Sequence, residues 1–150
     1  CAETLKTKIF FFNNDVKENK NRLILNFGHT FAHSIEMATE LLTKKEYYRH
    51  GEAVGLGILC ELYFSNPRKN KLLDSVKSLL EEYNLPIKID KGNFVNKKRL
   101  LLNNIYKFIF LDKKKISRYP RFIFMKKINK PLIKELQNND LILETINKYN

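Results

Sequence analysis

Hydrophobic and polar residues separate onto two faces when residues 22–42 are wound onto one helix at about 100° per residue. The apolar face, within an arc of about 80°, comprises Ile24, Phe27, Phe31, Ile35, Ala38 and Leu42. The opposite face, called the polar stripe below, comprises Arg22, Asn26, His29, His33 and Glu36. An apolar face of this width is typical of a helix that packs on a core. The pattern therefore predicts one continuous helix that turns its polar stripe away from the core.

The rest of the chain shows similar helical periodicity, interrupted by Asn, Pro and Gly. It predicts further helices over residues 2–12, 51–64, 69–83, 93–110 and 141–149. Asp15 and Glu18 form a predicted capping box before the polar stripe, and Asp140 is expected to cap the last helix. Short apolar runs at 121–125 and 132–133 predict two strands. The fold class expected is mainly α, a helical bundle with a minor β element, in one domain over residues 1–150.

The polar stripe is unlike an ordinary solvated face, because it has no Lys and holds two His four residues apart. His29 and His33 can direct both imidazoles at one site, and neutral imidazole is the commonest metal ligand among side chains. The chain has three His in all, and the third, His50, opens the following helix. A surface face with incidental histidines is the alternative interpretation, but this clustering favours a metal or catalytic site. Gly28 beside His29 indicates a close approach to the backbone.

Composition narrows the classes of function. The net charge of +12 raises the question of nucleic-acid binding, yet the Lys residues are spread along the chain and no nucleic-acid-binding module accompanies them. The first residue is Cys1 rather than Met, which indicates a missing preceding segment, and Cys1 and Cys60 do not form a disulfide framework. Without a signal peptide or a membrane-spanning run, we expect a cytoplasmic protein with neither a membrane nor a nucleic-acid partner.

Two long motifs resemble the C-terminal domain of the 3-dehydroquinate synthase family. The family patterns R-x-x-LN-x-GHT-x-GHAIE and HGEAV-x-x-G compare with RLILNFGHTFAHSIE at 22–36 and HGEAVGLGI at 50–58. Upstream, Lys8, Asp15, Glu18 and Arg22 follow the family's K-A-E-V-V-x-x-D-E-x-E-x-x-x-R spacing, and downstream residues 112–114 resemble its D-K-K segment. Two motifs in the right order are far more specific than one short pattern.

The resemblance implies an enzyme of the shikimate pathway, which leads to aromatic amino acids. Such lyases use NAD and a divalent metal, zinc or cobalt, to convert 3-deoxy-arabino-heptulosonate 7-phosphate into 3-dehydroquinate and phosphate. By the same resemblance, His29 and His50 are metal ligands, and the third ligand is a Glu from an earlier segment that this chain does not contain. The resemblance assigns proton transfer to His33 and Glu18, and it assigns substrate binding to Lys8, Arg22, Asn26 and one of Lys113 or Lys114.

Several features depart from the family pattern. Ala32 replaces a Gly, and the loop before His50 is longer, with Lys44, Lys45 and Glu46 inserted. The nucleotide-binding domain is absent, so we expect the chain alone to be inactive and to need that domain as a partner, and we also expect a homodimer. Another sugar-phosphate cyclase, a metal-dependent alcohol dehydrogenase relative, or an inactive degenerate fragment are the alternatives.

Two geometric expectations follow from these assignments. His29 and His50 should converge, with ring nitrogens no more than about 6 Å apart if both are to share one ion at ~2.1 Å each. Arg22, Asn26, His29 and His33 should edge one pocket, with the apolar face packed behind them.

Overall fold

The computed structural model describes residues 2–15, 21–67, 70–89, 92–111, 119–125, 130–136 and 139–149. Within these residues the α-helices are α1 (Ala2–Asn14), α2 (His29–Thr43), α3 (His50–Ser65), α4 (Lys71–Glu82), α5 (Lys98–Leu111) and α6 (Asn139–Tyr149). Two 3₁₀ helices span Asn21–Asn26 and Gly92–Lys97, and the strands are β1 (Arg121–Met125) and β2 (Pro131–Glu135). The predicted mainly α bundle with a minor β element is confirmed.

Helix α3 forms the centre of the bundle, as its apolar composition predicts. Its side chains Ala53, Leu56, Leu59 and Leu62 are fully buried. Helices α2, α4 and α6 pack against it, and α5 packs against both α2 and α6. Because α2 lies between α3 and α5, its apolar side is buried from two directions and its position is firmly set.

The β hairpin is anchored to α2 and α3 through aromatic packing. Strands β1 and β2 are antiparallel, with Ile123 paired to Ile133. The ring of Phe122 lies 5.4 Å from that of Phe31 on α2 and 4.7 Å from that of Phe64 on α3, measured between centroids. The Thr30 hydroxyl also donates a hydrogen bond to the Arg121 carbonyl at 3.0 Å. The hairpin therefore closes one end of the α2–α3 pair.

The prediction of one continuous helix over residues 22–42 is wrong. The chain forms the 3₁₀ helix Asn21–Asn26, and α2 begins only at His29. Gly28 between them has φ +84°, a left-handed conformation that side chains other than glycine rarely adopt. The physical reason is a close approach to α3, since a Cβ added at Gly57 would lie 2.0 Å from the Gly28 carbonyl oxygen.

The remaining predicted elements are present; the strand predicted over residues 121–125 has the same bounds in the structure, and the others differ at one or both ends. The predicted helix over 93–110 starts with the 3₁₀ segment Gly92–Lys97, and Asp140 lies in the first turn of α6 rather than before it. The predicted Asp15–Glu18 capping box includes Glu18, which lies outside the described residues. Asp15 accepts a hydrogen bond from the Arg22 backbone amide at 3.1 Å, and the capping box stays a prediction. In the part of the chain that the structure describes, the helices are too short or too polar to cross a membrane.

Candidate functional site

The start of α2 is held against α3 by backbone contacts that also place His29. The Gly28 amide donates a hydrogen bond to Glu61 Oε2 at 2.9 Å, and Glu61 is only 1% exposed. A Cβ at Gly28 would lie 2.8 Å from the Ile58 backbone nitrogen. Small residues on both sides and a buried carboxylate therefore fix the turn immediately before His29.

The three histidines of the chain form one cluster at the junction of α2 and α3. Ring centroids are 5.5 Å apart for His29 and His50, 5.6 Å for His29 and His33, and 5.9 Å for His33 and His50. The expected convergence of His29 and His50 is thus present in the positions of the rings. His29 and His33 lie one turn apart on α2, while His50 is the first residue of α3.

The surroundings of His29 favour its neutral form. Burial lowers its pKa below the ordinary value, and the nearby His33 and His50 lower it further. The Phe27 carbonyl and the Glu36 carboxylate act in the opposite direction. His29 Nδ1 lies 3.3 Å from the Phe27 carbonyl oxygen, which can only accept a hydrogen bond. A proton on Nδ1 leaves the lone pair of Nε2 for another partner.

Glu36 joins the cluster from the next turn of α2. Its Oε1 accepts a hydrogen bond from His50 Nδ1 at 3.0 Å, with the His50 side chain 60% exposed and that of Glu36 24% exposed. One ligand atom each from His33, Glu36 and His50 can be chosen so that all three lie within 4.8 Å of one another. Sequence reasoning placed Glu36 on the polar stripe but gave it no role. The signal was its spacing, three residues after His33 on the same helical face.

A pocket of about 570 Å³ brings together most of the predicted substrate-binding residues. Its polar lining includes Lys8 from α1, Arg22 and Asn26 from the 3₁₀ helix, and His29 from α2. The Arg22 guanidinium lies 5.0 Å from the centre of the Phe12 ring, which also lines the pocket. Although the polar stripe is not one helix, the break at Gly28 still leaves three of its members in this pocket, called the basic pocket below.

His33 does not line the basic pocket, contrary to the expectation that it would share one pocket with Arg22, Asn26 and His29. It lines a neighbouring pocket of about 460 Å³, called the acidic pocket below. The acidic pocket is lined by His33, Glu36, Met37, Glu40, Glu46, Tyr47 and Tyr48. Glu46 belongs to the loop that is longer than in the family pattern. The histidine cluster therefore lies between a cationic and an anionic recess.

Three of the predicted site residues have no described position. Glu18, Lys113 and Lys114 all lie outside the described residues. Their predicted roles in proton transfer and substrate binding stay predictions.

The chain is similar to known proteins over its whole length. A family model described as 3-dehydroquinate synthase C-terminal matches residues 1–115. The 3-dehydroquinate synthases of Campylobacter jejuni, Vesicomyosocius okutanii and Leptospira interrogans are 29%, 31% and 32% identical to it, respectively. These alignments cover 99%, 98% and 98% of this chain, but 40%, 39% and 38% of the relatives. The chain thus spans about 40% of the length of the C. jejuni relative.

Proposed function

The chain belongs to the 3-dehydroquinate synthase C-terminal family, and from that premise we propose that it supplies the metal- and substrate-binding part of such an enzyme. The reaction proposed is conversion of 3-deoxy-arabino-heptulosonate 7-phosphate into 3-dehydroquinate and phosphate. The observation that carries the proposal is the placing of Lys8, Arg22 and Asn26 in one pocket with His29. These residues combine side chains that can bind an anion with His29, whose imidazole is of a type that commonly binds metal ions.

The basic pocket suits a substrate that carries a phosphate and a carboxylate. Lys8 and Arg22 offer charge-assisted hydrogen bonds to anionic oxygens, and the planar Arg fork can bind two oxygens at once. Asn26 adds an amide that both donates and accepts hydrogen bonds, as a sugar hydroxyl requires. A phosphorylated sugar acid supplies anionic oxygens for Lys8 and Arg22, whereas a plain polyol supplies none, which favours the phosphorylated substrate.

The histidine cluster fits a divalent metal of the zinc type. Imidazole nitrogens and carboxylate oxygens are the donors that zinc takes, and burial holds His29 toward the neutral form that binds metal. In the complete enzyme His29 and His50 would hold the ion, together with a Glu from a segment outside this chain. When bound, such an ion supplies Lewis acidity that acidifies a substrate hydroxyl and polarises the ketone formed from it.

The position of His33 supports a proposed role in proton transfer. Its ring centroid lies 5.6 Å from that of His29, and it lines the adjoining acidic pocket. We propose that its imidazole accepts a proton from a substrate hydroxyl, with Glu18 in a similar role. Lys113 or Lys114 is proposed as a further substrate contact.

The proposed partner is a nucleotide-binding part that holds NAD, because the relatives are longer than this chain and the sequence has no glycine-rich strand–turn–helix pattern. A chimera tests this directly. It joins the chain to the part of the C. jejuni relative that the chain does not cover, and phosphate release is measured with NAD, zinc and the heptulosonate phosphate. We expect turnover by the chimera and none by the chain alone.

Two outcomes would contradict this proposal. A folded, zinc-loaded chimera without turnover would support an inactive degenerate fragment. Turnover of an unphosphorylated polyol in preference to the sugar-acid phosphate would support the alcohol dehydrogenase alternative. A chimera with Lys8→Met serves as the matched variant, because it removes one cation of the basic pocket and keeps the length of the side chain.

A further inference from the structure

A chain of hydrogen bonds links Glu61 of α3 to the imidazole of His29 through a single peptide group. The Gly28 amide donates to Glu61 Oε2 at 2.9 Å, and the Phe27 carbonyl oxygen lies 3.3 Å from His29 Nδ1. That carbonyl and that amide belong to the same peptide group. We propose that Glu61 is a positioning residue, which acts through this peptide group to keep the proton of neutral His29 on Nδ1. The benefit to catalysis rests on the proposed function, but the link itself does not.

Glu61 is an unusual side chain for its place in the fold. It is buried in α3, among neighbours that are mostly apolar. Burying a carboxyl in such surroundings costs free energy unless hydrogen bonds compensate for it. Gly28 is the N-cap residue of α2 and has no side chain to cap that helix, and the positive end of the helix dipole favours an acidic group nearby. Glu61 therefore supplies, from α3, the acceptor that the start of α2 lacks.

The peptide group between Phe27 and Gly28 is held in one orientation. The turn is pressed against α3, since a Cβ added at Gly28 would lie 2.7 Å from Ile58 Cγ1. The amide and the carbonyl of a trans peptide group point in opposite directions. An amide directed at Glu61 therefore turns the Phe27 carbonyl oxygen to the other side, where His29 Nδ1 lies.

This arrangement couples Glu61 to the tautomer of His29. A carbonyl oxygen can only accept a hydrogen bond, so the contact with Phe27 favours a proton on Nδ1. Hydrogen bonds in a row polarise one another, so an acceptor at the Gly28 amide makes the Phe27 carbonyl a better acceptor in turn. The partner of one ring nitrogen commonly decides what the other nitrogen can bind. In the proposed enzyme, His29 Nε2 is then the nitrogen that keeps a lone pair for a ligand.

The competing explanation is that Glu61 only satisfies a buried amide and holds α2 against α3. That role predicts a loss of stability when the acceptor is removed, with no change in the tautomer of His29. The proposed role predicts that both the stability and the tautomer change.

The tautomer can be measured in the full, metal-free chain labelled with ¹⁵N at histidine. At a pH above the titration of the imidazoles, nitrogen chemical shifts distinguish a protonated ring nitrogen from one with a lone pair, and His29→Gln assigns the signals. We expect the Nδ1–H form of His29 to predominate. Glu61→Met removes the acceptor at a similar side-chain length and should lower the ratio of Nδ1–H to Nε2–H about threefold to tenfold, the equivalent of one hydrogen bond. Glu61→Gln keeps an acceptor oxygen, so its ratio should stay within about twofold of that in the unaltered chain.

Ile142→Ala is the matched control for damage to the core. Ile142 is fully buried on α6, which packs against α3 and α5. Its truncation should therefore lower the free energy of unfolding and leave the ratio of His29 tautomers unchanged.

A second measurement needs no substitution, so it decides the matter even if Glu61→Met fails to fold. In the unaltered chain, a scalar coupling across the hydrogen bond should join the Gly28 nitrogen to the Glu61 carboxyl carbon. Absence of that coupling, or predominance of the Nε2–H form of His29, would overturn the proposal. An unchanged ratio in folded Glu61→Met, or equal ratios in Glu61→Met and Glu61→Gln, would also overturn it. These outcomes are separate from that of the proposed function, because the tautomer is measured on the chain alone and phosphate release on the chimera.

Discussion

In the proposed substrate site, Arg22 is the side chain best suited to specific anion recognition, because a guanidinium can bind two oxygens in one plane. We expect Arg22→Lys in the chimera to raise KM for the heptulosonate phosphate about tenfold, with a smaller change in kcat. The loss corresponds to one charge-assisted hydrogen bond. Arg99→Lys on α5 is the matched control, since Arg99 is exposed and outside the pocket lining. An unchanged KM in Arg22→Lys would show that the substrate anion is held elsewhere.

The ionisation of the Cys60 thiol should change the free energy of unfolding with pH. Cys60 is 2% exposed on α3, and burial, with a smaller effect of Glu61, raises the pKa of its thiol far above the ordinary range. The unfolded thiol ionises near pH 8.5. Because the folded pKa is the higher one, the contribution of Cys60 to stability is complete below that pH and is lost as the pH rises above it. At about pH 9.5 the expected loss is about 1.4 kcal/mol.

Urea unfolding at neutral and alkaline pH measures this loss, and Cys60→Ala provides the comparison. Both proteins share the alkaline titration of the tyrosines, including Tyr149, whose pKa burial also raises. The free energy of unfolding should therefore decline less with pH in Cys60→Ala than in the unaltered chain. Equal declines would mean that the Cys60 thiol ionises as readily in the folded protein as in the unfolded one.

The pairing of α2 with α3 depends on how closely their backbones approach. Two glycines of α3, Gly57 and Gly51, differ in how much space a Cβ would have. Gly57 faces the Gly28 carbonyl oxygen, 2.0 Å from where a Cβ would lie, whereas a Cβ at Gly51 would meet nothing within 4 Å. We expect Gly57→Ala to lower the free energy of unfolding by about 2–3 kcal/mol, since a backbone neighbour cannot rotate away. Gly51→Ala, in the same helix, should be neutral or stabilising by up to about 1 kcal/mol. Equal unfolding free energies for the two variants would contradict the close packing.

At the scale of elements, the periodicity of apolar residues was sufficient to predict where most helices lie. A helix that packs against α3 must carry apolar residues on one face, and this requirement produces the periodicity. It failed at Gly28, where the hydrophobic pattern continues across a break in the backbone. A helical projection of residues 22–42 uses only the order of the side chains. It cannot reveal the positive φ of Gly28, which goes with the close contact to the distant Gly57. The family motifs brought the three histidines together correctly. The division between two pockets was not predictable, because it depends on the loop that carries Glu46.

At the scale of the whole molecule, α1 receives little support from the part of the chain that the structure describes. None of its described residues is buried, and Leu5, Ile9, Phe10 and Phe12 are 60%, 48%, 63% and 46% exposed, respectively. Its main packing partner is the short 3₁₀ helix Asn21–Asn26. An isolated helix of this length is marginal in water, so we expect packing from outside the chain to stabilise it. The nucleotide-binding part proposed from the longer relatives is the expected source.

Hydrogen exchange measured by mass spectrometry tests this expectation. In the chain alone, α1 amides should exchange within seconds, as in a locally unfolded segment, while α3 amides should stay protected. In the chimera the same α1 amides should become protected, because their apolar side chains are covered. A matched variant, Phe10→Ser, should weaken that protection in the chimera without changing the unfolding of the chain alone, since Phe10 is exposed there. Equal exchange of α1 in chain and chimera would mean that the added part of the relative does not cover α1, which partly lines the basic pocket through Lys8.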